Sequence, residues 1–176
     1  MKIIAFAASS SRKSINKRLV TYAASLIDEA EVDVLDLNDY ELPLFSEDQE
    51  QVLGQPQLAH DFLAKIAGAD ALVISFAEHN GTYSAAYKNL FDWCSRIKKV
   101  FQGKPLMLLS TSPGARGGAS VLAQALKSAH HFEGEVKGSL AVPSFYEHFD
   151  VEQGCLTDAT LKSELIAQLT KLAETK

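Results

Sequence analysis

Cysteine is scarce in this chain of 176 residues: Cys94 and Cys155 are the only two. Two thiols cannot build a disulfide framework, and the five histidines (His60, His79, His130, His131, His148) never pair with them at metal-finger spacing. No bound metal is therefore expected. Long apolar runs are missing too. No stretch of 18 apolar residues occurs, so no transmembrane helix and no membrane partner are expected. The apolar run at residues 3–8 is shorter than the roughly 7–15 residues of a secretory signal core. A buried first strand accounts for it, and the chain reads as cytoplasmic. Basic residues are absent from a whole segment: residues 28–61 hold eleven Asp and Glu and no Lys or Arg. The formal charge of −5 argues against a general phosphate-backbone binder, hence against nucleic acid as a partner. Positive charge gathers instead at Arg12, Lys13, Lys17 and Arg18.

What is present is a recurrence of short, nearly continuous apolar runs at residues 3–8, 32–37, 71–76, 106–110 and 138–142. Runs apolar on both faces suit parallel strands covered by helices on each side. Helical stripes lie between them. Leu19, Val20, Ala23, Leu26, Ile27 and Ala30 form one, and Leu161, Leu165, Ile166, Leu169 and Leu172 another. Further helical patterns fit residues 57–67, 84–98 and 119–130. Alternating strands and helices predict a three-layer α/β domain with no internal repeat, linker or low-complexity segment.

Helix 84–98 carries two apolar stripes. Ala86, Leu90, Trp93 and Ile97 form the first; Tyr87, Phe91 and Cys94 form a second, centred roughly 90° away. A helix on a sheet needs a single stripe about 100° wide. The second needs a neighbouring helix or another subunit, and a homodimer or homotetramer through this helix is expected. Residues 38–56 have no clear period and read as a partly packed flap. The aromatic segment Phe145, Tyr146, His148 and Phe149 reads as a site wall or an interface.

In open α/β sheets, ligands bind beyond the carboxyl ends of the strands. Three loops stand there. The first, Ser9-Ser10-Ser11-Arg12-Lys13-Ser14-Ile15-Asn16, opens a helix with hydroxyl and amide donors plus the charge of Arg12 or Lys13. It suits a phosphate dianion, although Ser and Asn also serve as plain helix caps. Neither G-x-G-x-x-G nor G-x-x-x-x-G-K-[ST] occurs, which excludes a dinucleotide fingerprint and a P-loop. The second loop, Ala77-Glu78-His79-Asn80-Gly81-Thr82-Tyr83-Ser84, holds an Asn-Gly turn and helix caps at Thr82 or Ser84. The third, residues 111–120, holds Gly114, Gly117 and Gly118, which let backbone approach a flat ligand.

Three blocks carry a resemblance. They are Ser9-x-Ser11-x-x-Ser14-Ile15-Asn16, then Glu78-His79-Asn80-Gly81-Thr82-Tyr83-Ser84-Ala85-Ala86-x-Lys88-Asn89-x-x-Asp92-Trp93, then Ser112-Pro113-Gly114-x-Arg116-Gly117-Gly118. Together they resemble the NADPH-dependent FMN reductase family, which includes quinone, azo-dye and chromate reductases of flavodoxin-like fold. The middle block is the specific part. Ala8 stands where the family often has Gly, Ala77 where it has Pro, and Arg12 lies two residues before Ser14 rather than three. The resemblance implies one flavodoxin-like FMN-binding domain over residues 1–176, with strand order 2-1-3-4-5. It implies FMN held by its phosphate at Ser9, Ser11, Ser14 and Asn16, with Arg12 and Ile15 in the same loop. The ring then meets Ala77, Glu78, His79, Asn80 and Gly81 on one edge, and Ser112, Pro113, Gly114, Arg116, Gly117 and Gly118 on the other.

Flavin supplies the redox chemistry in such an enzyme, and the protein supplies position and electrostatics. NADPH or NADH gives hydride to the flavin and leaves; a quinone-like, azo, free flavin or metal-oxyanion acceptor then takes two electrons. Glu78 reads as a participant or as a solvated turn carboxylate. His79 reads as a proton relay or as a surface residue. Arg116 reads as a ligand for the NADPH phosphate or as a solvated loop residue. Cys94 and Trp93 read as packing, and His130-His131 as a helix C-terminal pair. The competing reading is a flavodoxin-type electron carrier without NAD(P)H oxidase activity. A receiver-type signalling domain lacks its aspartates here, because serines and Ala77-Glu78 occupy their places.

Overall fold

The computed structural model describes residues 1–173. Strands β1 (Lys2–Ala8), β2 (Glu31–Leu35), β3 (Ala71–Phe76), β4 (Lys104–Thr111) and β5 (Gly134–Val142) form a parallel sheet in the order β2-β1-β3-β4-β5. Helices α1 (Ile15–Ser25), α2 (Glu47–Leu53), α3 (Gln57–Ala67), α4 (Ala85–Ser95) and α5 (Ala119–Ser128) follow in chain order. A short α6 (Phe145–His148), the strand pair β6 (Phe149–Asp150) and β7 (Cys155–Leu156), and α7 (Ala159–Ala173) complete them. Among the described residues, no helix is long and apolar enough to cross a membrane.

Strand period 2 sends alternate residues to opposite faces, which is why the central strands β1, β3 and β4 are apolar on both, while the edge strands β2 and β5 carry Glu31, Asp33, Glu135 and Lys137. Ile4, Phe6, Leu72, Ile74, Phe76, Leu106 and Leu108 pack against α3, α4 and α5. Ile3, Ala5, Val73, Met107 and Leu109 pack against α1 and α7. Three layers result, and the sheet reverses its winding between β1 and β3, where their carboxyl ends open a crevice.

Several boundaries differ from the sequence reading. β5 begins at Gly134 rather than 138, because Glu135 and Lys137 on this edge strand interrupt the apolar run, and the register shifts between Leu106 and Met107. α1 ends at Ser25, so Ile27 and Ala30 of its expected stripe lie beyond the helix. α4 ends at Ser95, short of residue 98. The segment 38–56 is not a plain flap: it contains a 3-10 turn at Leu37–Tyr40 and all of α2. α2 buries no residue and so has no apolar period to read.

The second stripe of α4 finds its partners inside the chain. Tyr87 packs against Phe6, Phe76, Tyr83 and Phe91, and Phe91 meets Phe101 and Phe132. The Cys94 thiol lies 3.8 Å from the Ala59 carbonyl of α3, and burial pushes its pKa up to about 12. On the first stripe, Trp93 donates its indole N–H to the Pro43 carbonyl at 2.8 Å and meets Phe45 edge-on. Asn89 pins the same segment through Leu42, Pro43 and Phe45. The two stripes are thus met within the chain by the flap and by neighbouring aromatic residues and helices.

Candidate active site

The loops after β1, β3 and β4 meet in one cleft of about 270 Å³. Its β1 side is made by Ser9, Ser11, Lys13, Ser14, Ile15 and Asn16. Ser14 caps α1, accepting from the Lys17 N–H at 3.2 Å, and Ser9 Oγ accepts from the Ser11 N–H at 3.2 Å. Both hydroxyls accept in these contacts, so each keeps its own hydrogen to donate. The N–H groups of Ile15 and Asn16 open α1 and have no partner within the helix. Of the two adjacent cations, the cleft takes Lys13 and leaves Arg12 outside its wall.

Asn16 is 3% exposed and spends its side chain inward. Its amide nitrogen donates to the Thr111 carbonyl at 3.1 Å, while its oxygen accepts from the Thr111 N–H at 3.0 Å and the Ser75 hydroxyl at 2.7 Å. The residue staples the β1 loop to the ends of β3 and β4. Lys17, one turn along α1, pairs with Asp36 beyond β2. That contact and the Asn38 N–H lower the Asp36 pKa to about 2.

The β3 side contributes Ala77, Glu78 and His79. His79 and Thr82 exchange two backbone hydrogen bonds (2.9 and 3.1 Å) around Asn80 and Gly81, whose φ angles are 51° and 79°. This is the tight turn that Asn-Gly favours, with both central residues left-handed. It carries Asn80 and Gly81 beyond the cleft wall. Ser84, not Thr82, caps α4: its oxygen accepts from the Tyr87 N–H and its hydroxyl donates to the Ala8 carbonyl. Glu78 is neither free nor solvated. Its carboxylate accepts from Arg116 at 3.1 Å and from the Val121 N–H of α5 at 3.0 Å.

The β4 side contributes Thr111, Ser112 and Pro113. Gly117 and Gly118 are buried, and their role differs from the expected approach to a ligand. A Cβ on Gly117 would come within 2.8 Å of the Val142 carbonyl group, and one on Gly118 within 3.1 Å of Ser110 Cβ. Close packing on the neighbouring strands demands these glycines, together with φ angles of 58° and 75°. Gly114 is exposed and has room around it. Arg116 faces Glu78 and Ser120 rather than the cleft.

Of the expected residues, the structure thus gathers Ser9, Ser11, Ser14, Ile15, Asn16, Ala77, Glu78, His79, Ser112 and Pro113 around one cleft. Arg12, Asn80, Gly81, Gly114, Arg116, Gly117 and Gly118 stand in the flanking loops but not on its wall. The sequence reading of the site missed Thr111. It left Tyr146 open between wall and interface, and the structure puts it at the cleft. The Ser144 and Phe145 N–H groups donate to the carbonyls of Gly114 and Ser112, each at 3.0 Å, and this docks α6 beside the cleft. Phe145 and Phe149 are core residues instead.

The model of the family described as NADPH-dependent FMN reductase matches residues 1–147. A 2-hydroxy-1,4-benzoquinone reductase from Burkholderia sp. is 37% identical over 122 residues, covering 68% of this chain and 64% of the relative. An NADPH:quinone oxidoreductase from Arabidopsis thaliana is 31% identical over 124 residues, covering 68% and 62%. The match therefore spans less than two thirds of the length of these curated relatives. Among solved structures, FerB, a flavoenzyme NAD(P)H:(acceptor) oxidoreductase from Paracoccus denitrificans, superimposes with a TM-score of 0.75 at 22% identity. That superposition covers 98% of this chain and 97% of FerB, and it bears on the fold. With its sheet order, its three loops and a family match over most of its length, the chain belongs to the NADPH-dependent FMN reductase family.

Proposed function

We propose that this chain is an NAD(P)H-dependent oxidoreductase that holds FMN in the cleft at the β1–β3 switch point and reduces quinone-type acceptors. The observation that carries the reading is the donor set of the β1 loop. Ser9, Ser11, Ser14 and Lys13 line one side of the cleft together with Ile15 and Asn16, which open α1. Such a set suits a phosphate dianion, with the helix dipole behind it. The Glu78 carboxylate, which would repel an anion, is turned onto α5.

When bound, FMN supplies a site that accepts hydride and later releases two electrons. In this reading the β1 loop holds the phosphate, with Asn16 contributing its main-chain N–H and bracing the loop from beneath. Ala77, Glu78 and His79 on one side and Ser112 and Pro113 on the other would hold opposite edges of the ring, with Asn80, Gly81 and Gly114 flanking them. Backbone N–H groups of the β3 loop offset the negative charge of its reduced form. The cleft, at about 270 Å³, falls just below the roughly 300–1,000 Å³ typical of small-molecule pockets. In this reading, donor and acceptor use the same open face in turn, a ping-pong order. We further propose a homo-oligomer on the side carrying α4 and the flap, where Leu44 and Val52 are each 80% exposed. Light scattering that returns the 19.1 kDa mass of one chain sinks that part alone.

Titration with FMN and with riboflavin tests the phosphate site. The account expects FMN to bind at least about tenfold more tightly, or about 1.4 kcal/mol. Equal affinities contradict it. An electron carrier would bind FMN equally well and is separated by its failure to oxidise NAD(P)H.

A further inference from the structure

Glu78 sits at a junction that cleft geometry alone does not explain. The residue lines the cleft, yet its carboxylate reaches the first turn of α5. There it does two things. One oxygen accepts from the Val121 N–H in the first turn of α5. That helix lacks a cap of its own, because Gly118 at its N-cap has no side chain to offer. The other oxygen pairs with Arg116, whose side chain is 73% exposed while that of Glu78 is 13% exposed. The β3 loop is thereby tied to the β4 loop through Arg116, and to α5 a second time by the Thr82 hydroxyl, which donates to Gln124 at 2.7 Å.

We propose that Glu78 is a positioning residue for the flavin, and that the Glu78–Arg116 pair keeps the field beside the ring neutral and so sets its reduction potential. The proposal rests on the FMN reading above. The pair is a cation and an anion of equal and opposite charge, with Glu78 on the cleft lining and Arg116 on the loop beside it. Reduction adds negative charge to the ring, so its cost depends on the net charge nearby. With both partners present, their fields largely cancel. With one removed, the survivor acts alone: a largely buried carboxylate in one case, an exposed guanidinium in the other.

The signs follow directly. Glu78→Gln keeps an oxygen for the Val121 N–H but leaves Arg116 unopposed, which favours the reduced ring. Arg116→Gln, at an exposed position, leaves the carboxylate unopposed and disfavours it. The double variant restores neutrality. The experiment measures the two-electron midpoint potential of the FMN-loaded protein and its three variants, alongside FMN affinity. Glu78→Gln is expected to favour the reduced over the oxidised form about tenfold, raising the potential by about 30 mV. Arg116→Gln is expected to lower it by a similar amount, about 30 mV, and the double variant to return within about 10 mV of the starting value. A purely structural tie predicts something else: both single variants weaken FMN binding and shift the potential in the same direction, with no rescue in the double. That pattern, or three variants all within about 10 mV of the parent, overturns the proposal. A parent protein that takes up no FMN overturns the functional reading instead.

Discussion

Gly114 and Gly117 stand three residues apart in one loop, and an added methyl group meets opposite surroundings at the two positions. At Gly117 it strikes the backbone of Val142 at 2.8 Å and must sit at a φ of 58°. At Gly114 its nearest neighbour is a serine hydroxyl 4.0 Å away. Gly117→Ala should cost about 3 kcal/mol and lower Tm by roughly 6–12 °C, while Gly114→Ala should stay within about 0.5 kcal/mol. Paired thermal melts check this, and equal effects contradict it. The thiols divide in the same manner. Cys94 is fully buried with its pKa raised to about 12, whereas Cys155 is partly exposed. A disulfide reagent should modify one thiol per native chain and the second only on unfolding. Two fast-reacting thiols would contradict this burial. The sequence reading found the residue types of the site but not their direction. Asn16 was legible as a polar loop residue. That its amide faces inward depends on Ser75 and Thr111, 59 and 95 residues away. The same holds for Glu78, whose partners lie 38 and 43 residues further along the chain.

At the scale of elements, apolar periodicity reports burial, and elements that bury little escape it. The central strands were legible because both faces are covered, β5 only in its apolar second half, and α3 over its whole length because its inner face enters the core. α2 was not, since none of its residues is buried. It is held by end signals instead. Ser46 accepts from the Gln49 N–H at 3.1 Å, Glu47, Asp48 and Glu50 fill the first turn, and Gly54 closes the helix. A Ser followed three residues later by Gln is a capping-box signature, so this helix could have been read from its ends. One side-chain tie, Arg96 to Glu50 at 2.9 Å, fastens it to the end of α4. Such a helix opens with little resistance. Hydrogen exchange should therefore release the amides of α2 well before those of α4, which carries Trp93 and Cys94 at zero exposure. Equal protection would mean that something further covers α2. The flap itself was misread only in part. Leu42, Pro43 and Phe45 do pack, but on α4 of the same chain.

Across the whole molecule, charge is sorted by position. The cations of residues 12–18 cluster at the start of α1, with Lys13 on the cleft wall and Lys17 paired to Asp36. The Asp36 carboxyl has its pKa lowered to about 2 in the folded state, below the ordinary carboxylate value of 3.8. Its stabilisation is therefore fully present above the unfolded value and is lost as pH falls through the folded one. Because both side chains are about one third exposed, solvent screening limits the effect to about 1 kcal/mol. Asp36→Asn should lower stability by that amount at neutral pH and converge with the parent near pH 2; a constant gap down to that pH contradicts the assignment. The larger claim concerns the open side of the cleft. In the proposed reading, a flavin held at the switch point between β1 and β3 meets donor and acceptor at the same face in turn. The direct test is anaerobic mixing of the FMN-loaded protein with NADPH or NADH, followed by removal of the nicotinamide and addition of a benzoquinone. The account predicts that the flavin absorption bleaches in the first step and returns in the second, with no nicotinamide present. Flavin that stays oxidised through the first step with both nucleotides contradicts it.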